Sequence, residues 1–342
     1  MRLIAGFLLL LLLAGCGHPP VYRQQSYVFG TLVDITIADE PEDKARQVTD
    51  HILAEFDRLN RELHAWQPSD LSRLNQQLEH APVSGTMSPE LAAILTDASH
   101  YAAQGDNLFN PAIGNLIRLW GFQSDTFVPH MPDKAEIAKL VKAAPRMSDL
   151  VIKGTQFHCD NPAVRIDLGG YAKGYALDDA ANYLRSQGVK NALINIGGNI
   201  IALGQHDDRP WKVGIQHPRQ AGAIATLELN DGEAIGTSGD YQRYFMLNGV
   251  RYCHLIDPRT GWPVQDTQAV TIIAHGPHAG TISDEASKPI FIGGRTEWRE
   301  MAKKVGITEV LRIDASGQAS MTQTMAARVE WLDKSMQATV VP

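Results

Sequence analysis

Cysteine is scarce in this chain, three residues in 342, and no C-x-x-C pair is among them. That absence removes zinc-ribbon chemistry, and the missing H-E-x-x-H and G-x-S-x-G patterns remove zincins and serine hydrolases with a nucleophile elbow. Positive charge is short as well. With 31 Lys and Arg against 38 Asp and Glu, the formal net charge is -7, the wrong sign for a partner that must neutralise nucleic-acid phosphates. The apolar run at residues 3–13 is too short to span a membrane. No internal repeat, low-complexity tract or coiled coil breaks the pattern. What remains is ordinary globular composition, 44% hydrophobic and 20% charged, in a length that can bury a large core as two domains or one large one.

Residues 1–15 read as a leader. Arg2 supplies a short positive region, residues 3–13 the apolar stretch, and LAGC ends at Cys16. Small Ala14 and Gly15 give a peptidase access to the bond before Cys16, whose thiol is then acylated. The expectation is a lipoprotein, exported and tethered to a bacterial membrane through Cys16. Residues 16–25 would be the exposed tether and residues 26–342 the folded domain. Cys159 and Cys253 remain, and since nothing in the sequence brings them together, both are expected buried and unpaired.

Alternation over residues 27–37 predicts a strand. Helical spacing of Ile52, Leu53, Phe56, Leu59 and Leu63 predicts a helix over about residues 42–64. Ser88 before Pro89 marks the start of another helix, reaching to about residue 103. A loop entering a short helix follows at residues 109–122. Residues 127–148 read as a peripheral insertion with one helix at 134–143. Beyond residue 150, short strands are expected at 164–166, 192–196, 211–216, 223–229, 243–247 and 269–274, interrupted by helices at 172–187 and 297–305. Such a mixture is α+β, not a βαβ repeat.

Chemistry is concentrated in a few segments. HLIDPRTGWP, residues 254–263, sets His254 at the end of a strand and Asp257 before a turn stiffened by Pro258 and freed by Gly261. DLGGYAKGYALD, residues 167–178, passes from a strand into a helix, so its glycine amides and Lys173 can face an anion, although neither Rossmann nor P-loop spacing is present. INIGGNI, residues 194–200, fits a hairpin or a closely approached backbone. Thr237, Ser238 and Gly239 are expected in a polar turn, and Asp284 and Ser287 on one helical turn suit a hard cation. Each of these has a purely structural alternative: a connector, a turn or a satisfied surface histidine.

In order along the chain, FGT at residues 29–31, FNPAIGNLIRLWGF at 109–122, and the segments beginning at 167, 194, 237 and 254 resemble the ApbE family of flavin transferases. The resemblance implies a mixed fold of antiparallel and mixed sheets with packed helices, two closely associated subdomains and the site between them. It also implies a periplasmic enzyme that cleaves FAD, attaches FMN through its phosphate to a Ser or Thr hydroxyl of an exported flavoprotein, releases AMP, and uses Mg²⁺ to offset charge on the phosphates. By position, Phe29, Trp66, Leu108, Phe109, Asn110, Asp167, Lys173 and Ile256 would contact the cofactor. Gly170, through its carbonyl, Asp284 and the neighbouring Ser287 would hold the metal. His254 would be the general base, because an unperturbed His titrates near neutrality, with Asp257 orienting it or assisting the metal.

Two departures stand out. Asn110 and Ala112 replace a common acidic residue and Thr, and Lys288 occupies a position where the family usually presents a metal-ligating Thr. A protonated Lys cannot ligate a metal. Either Lys288 turns away and Mg²⁺ keeps fewer ligands, or its ammonium partly replaces the ion's charge. The alternatives to transfer are an FAD pyrophosphatase and a non-catalytic FAD-binding lipoprotein. The acceptors implied are subunits of sodium-pumping or related electron-transport complexes, or a membrane regulator of nitrous-oxide respiration. Their location favours the inner membrane, and Gly17 supplies no Asp retention signal.

Overall fold

Apolar residues alternating along the strands give this chain a sheet that is buried on both faces. Val33, Ile35 and Ile37, with Ile194 and Ile196, pack to one side, against helices, whereas Ile200, Ala202, Ile235 and Ile273 pack to the other, against a small sheet. A computed structural model describes residues 21–124, 126–332 and 336–341. The leader expected at residues 1–15 and the lipidation site Cys16 lie outside the described residues.

The main sheet has nine strands, lying side by side in chain order: Val21–Val28, Thr31–Ala38, Asn191–Ile196, Asn199–Leu203, Ala234–Gly239, Thr267–Ala274, Glu309–Asp314, Ala319–Thr322 and Ala338–Val341. Neighbours are antiparallel except the last pair, which is parallel. All eight residues of Thr267–Ala274 are buried, as a central strand covered on both faces requires. The α+β class expected from the sequence is the one observed. Among the described residues no helix is long and apolar enough to cross a membrane.

Several boundaries differ from the sequence reading. The strand expected at residues 27–37 is two strands joined at Phe29 and Gly30, both with positive φ, 54° and 70°, so the chain doubles back in a two-residue turn. The exposed tether does not extend to residue 25, because residues 21–25 already pair with the next strand. Residues 164–166 form no strand, only the bridge between Ile113 and Arg165. Thr237, Ser238 and Gly239 lie within the strand Ala234–Gly239, not in a turn, because they pair with Thr267–Ala274. INIGGNI is the hairpin, turning at Gly197 and Gly198.

Helices Glu42–Glu62, Pro89–Gln104 and Lys134–Ala143 fall where periodicity put them. Ser88 Oγ accepts from Leu91 N at 3.2 Å, the cap read from the sequence. The last of the three is less peripheral than expected. Its Ile137 and Val141 lie against Gly261, and Ile137 joins Trp120, Phe122, Phe245 and Ile256 in an aromatic cluster beneath the turn that follows His254. Helix Asp70–Leu78 was not foreseen, being short, and is capped reciprocally by Ser69 and Ser72. Cys159 and Cys253 are buried and unpaired.

Candidate active site

The Phe29–Gly30 turn, the Gly197–Gly198 turn and the end of strand Ala234–Gly239 meet at one end of the sheet. Across from them lie residues 108–111 and 167–173 of the helical side, and a cavity of about 620 Å³ opens between. Its walls contain Phe29, Trp66, Leu108, Phe109, Asn110 and Asp167, together with Gly170, Lys173, His254, Ile256, Asp284 and Lys288. Residues from widely separated parts of the chain share this space, and its size is that of pockets enclosing cofactor-sized ligands.

Local hydrogen bonds aim these side chains. Phe29 is held in the left-handed region, unusual for a bulky residue, with its ring 6.0 Å from that of Phe56. Asn110 caps its own loop, accepting from Ala112 N at 3.0 Å and donating to the Pro145 carbonyl at 2.9 Å. Asp167 accepts from Trp66 Nε1 and from Gly169 N, both at 2.8 Å. A residue missed in the sequence, Asn75, is fully buried and clamps the backbone beside Asp167. It donates to the Ile166 carbonyl at 2.8 Å and accepts from Ile166 N at 2.7 Å. Only the fold could reveal it, since its helix was not foreseen and lies 91 residues away in sequence.

Charge gathers at the other end. Asp284 is completely buried and accepts from Gly174 N at 3.2 Å in the first turn of helix Ala172–Ser186. The anion facing that amide is therefore the protein's own carboxylate. Lys173 Nζ stands 3.3 Å from Asp284 Oδ2 and 3.3 Å from the Gly169 carbonyl. Lys288 reaches back one helical turn, donating to the Asp284 carboxylate and, at 2.5 Å, to the Asp284 carbonyl. Burial works to raise the Asp284 pKa, and the two ammonium groups overcome it, holding the carboxyl at about 2. Burial lowers the Lys288 pKa, and Asp284 opposes the fall. Beside them Glu285 is pushed by burial well above the carboxylate range, and its Oε2 meets no partner among the described residues.

His254 follows strand Val250–Cys253 and is half-buried. Its Nδ1 lies 3.2 Å from the Arg243 carbonyl, which can only accept, so Nδ1 carries the proton and Nε2 the lone pair. Burial first, then the Arg243 guanidinium and the more distant lysines, push the imidazole down to about 3. The neutrality-titrating base expected from the sequence is instead an imidazole that stays neutral. Asp257 does not orient it and does not line the cavity. It accepts from Arg259 N and its guanidinium at 2.8 and 2.9 Å, stiffening the turn, and Arg259 continues to Glu297.

The Mg²⁺ implied by resemblance does not fit this donor set. Asp284 already faces two ammonium groups. Ser287 Oγ is shared between the Asp284 carbonyl at 2.8 Å and Ser238 Oγ at 2.7 Å, and it lies outside the cavity wall. Lys288 has no lone pair to offer while protonated. Among the described residues no group of three His, Cys, Asp or Glu is able to hold a metal ion.

Residues 29–311 match the ApbE family, a span that includes every wall of the cavity. The chain belongs to the ApbE family. A FAD:protein FMN transferase of Rhodobacter capsulatus is 38% identical over 321 residues, covering 94% of this chain and 61% of that protein. The chain thus spans less than two thirds of that relative's length. A FAD:protein FMN transferase of Salmonella typhimurium is 31% identical over 91% of both chains. In fold, the crystal structure of the ApbE protein from Thermotoga maritima is similar with a TM-score of 0.80 at 28% identity, covering 90% of this chain and 99% of that one.

Proposed function

We propose that this chain is an FAD:protein FMN transferase, joining FMN to a Ser or Thr hydroxyl of an acceptor flavoprotein and releasing AMP. One observation carries the reading: segments scattered from Phe29 to Lys288 converge on a single cavity with an apolar, aromatic end and a cationic end. Phe29, Trp66 and Ile256 give flat or apolar surface to a nucleotide, while Lys173 and Lys288 suit a pyrophosphate. Two ammonium groups against the Asp284 carboxylate leave one net positive charge there.

The acceptor oxygen attacks the FMN phosphorus, and the bond from that phosphorus to the bridging oxygen breaks. The bridging oxygen leaves with AMP, and the hydroxyl proton passes to His254 Nε2. The neutral imidazole presents its Nε2 lone pair to that proton, and the depressed pKa makes it a weaker base than an unperturbed histidine. The Arg243 carbonyl holds the ring in this tautomer, the part expected of Asp257.

The purified chain, FAD and an acceptor carrying a Ser or Thr flavinylation motif should yield covalent flavin fluorescence on the denatured acceptor. FAD binding without labelled acceptor overturns the reading, and release of FMN and AMP without acceptor points to a pyrophosphatase. An exported electron-transport subunit or a regulator of nitrous-oxide respiration is the acceptor class implied by family resemblance. The LAGC sequence supports a lipid on Cys16 and export to the periplasmic side of a membrane, and the location of the implied acceptors favours the inner one. Cys16→Ser should then move the enzyme from the membrane to the soluble fraction.

A further inference from the structure

We infer that Lys288 is the built-in cation of this site, so that FAD binding and FMN transfer proceed without a divalent metal. The inference rests on the transferase reading above only for its second half, since FAD binding can be followed alone. Lys288 Nζ donates to both the side-chain and main-chain oxygens of Asp284. Its stem lies against Gly170, where an added Cβ would sit 3.0 Å from Lys288 Cε. Gly170 and Asp284 are two of the three residues expected to hold the ion, and the lysine lies against both. Only 13% of its side chain is exposed, and Asp284 is not exposed at all, so water screens this charge weakly.

An ammonium fixed here can do for a pyrophosphate part of what a metal does. It presents positive charge and N–H donors to the oxygens that gain negative charge as AMP departs. Lys173 adds a second ammonium from the opposite helix. The cost is charge: Lys288 contributes a single positive charge where Mg²⁺ brings two, and Lys173 is present in either case. Asp284 then serves as an anchor for both ammonium groups, not as a metal ligand.

The test starts with the unmodified protein, stripped with EDTA. FAD titration followed by flavin fluorescence, and transfer to an acceptor, are measured in EDTA and again with added Mg²⁺. Both should differ by less than about tenfold between the two conditions. Lys288→Thr, shown folded by thermal melting, should lose at least about tenfold in FAD affinity in EDTA and regain it with Mg²⁺, while Lys288→Arg should stay independent of metal. Collapse of wild-type FAD binding in EDTA with recovery in Mg²⁺ overturns the inference, as does a Lys288→Thr protein that binds FAD normally in EDTA. If Lys288→Thr does not fold, the wild-type comparison decides alone. Metal-independent FAD binding with no transfer under any condition supports Lys288 as the cation and refutes the transferase reading instead.

Discussion

Gly174→Ala places a single methyl group where two helices touch. On the ideal backbone that methyl carbon would lie 2.4 Å from the Gly280 carbonyl oxygen, 2.7 Å from Thr281 Cα and 2.9 Å from Asp284 Cβ. Ordinary C···O contacts start near about 3.3 Å and C···C contacts near about 3.5 Å, so helix Ala279–Glu285 must retreat by roughly 0.8–0.9 Å. The neighbours are mostly backbone, which cannot swing aside as a side chain can. Overpacking of this kind costs about 1–3 kcal/mol, and the better helix propensity of Ala returns at most about 1 kcal/mol. The expected net loss is about 1–2 kcal/mol, a fall in Tm of roughly 2 °C for a chain of this size. The functional effect should be larger than the thermal one. The retreating helix carries Asp284 away from Lys173 and from Gly174 N, and a shift near 1 Å at a reacting centre costs on the order of 100-fold in rate. Thermal melting and FMN transfer under saturating FAD are the two assays. A variant that melts higher than wild type and transfers at the wild-type rate would refute this account of how the two helices meet.

His254→Ala should lower transfer by about 10²–10⁴-fold while leaving FAD bound, as loss of a general base does. Because the imidazole is held at about 3, it is already neutral across pH 5–8, and kcat/KM should show no His inflection there; an inflection near 6.5 would sink that assignment. Asp284 is depressed from 3.8 to about 2, so its contribution to stability is present above 3.8 and disappears as the pH falls from there through about 2. Acid melts should therefore flatten in Asp284→Asn within that window. Trp120→Ala removes a fully buried indole whose Nε1 donates to the Gly261 carbonyl at 2.8 Å, and should cost about 3–5 kcal/mol by chemical denaturation. Since that bond supports the turn after His254, an unchanged transfer rate in the folded fraction would show that the turn does not need it.

Long periodic elements were legible. The helices Glu42–Glu62 and Pro89–Gln104 announce themselves through apolar spacing, and the second also through its Ser-Pro start. Short elements were not, since Asp70–Leu78 offers only two turns of pattern, and Thr237 to Gly239 look like a turn until strand Thr267–Ala274 is laid beside them. The site divides in the same way. Lys173 and His254 could be named from their segments, Phe29, Trp66 and Asp167 through the family resemblance, and all line the cavity. Asn75 could not, because its importance comes from meeting Ile166 across the fold. Asp257 was misplaced for a related reason: adjacency to His254 in sequence suggested a partnership that Arg259, two residues on, takes instead.

The sequence by itself determined the family, the α+β class and which segments carry chemistry, because motif order and apolar period are properties of the linear chain. Tertiary structure decided the charge state of the site. Whether a histidine is neutral, a carboxylate is free for a metal, or a lysine is a ligand's neighbour depends on burial and on distances of a few ångströms between remote residues. Lys288 made the point most sharply: in the sequence it was a misplaced residue, and in the fold it is the cation resting on Asp284.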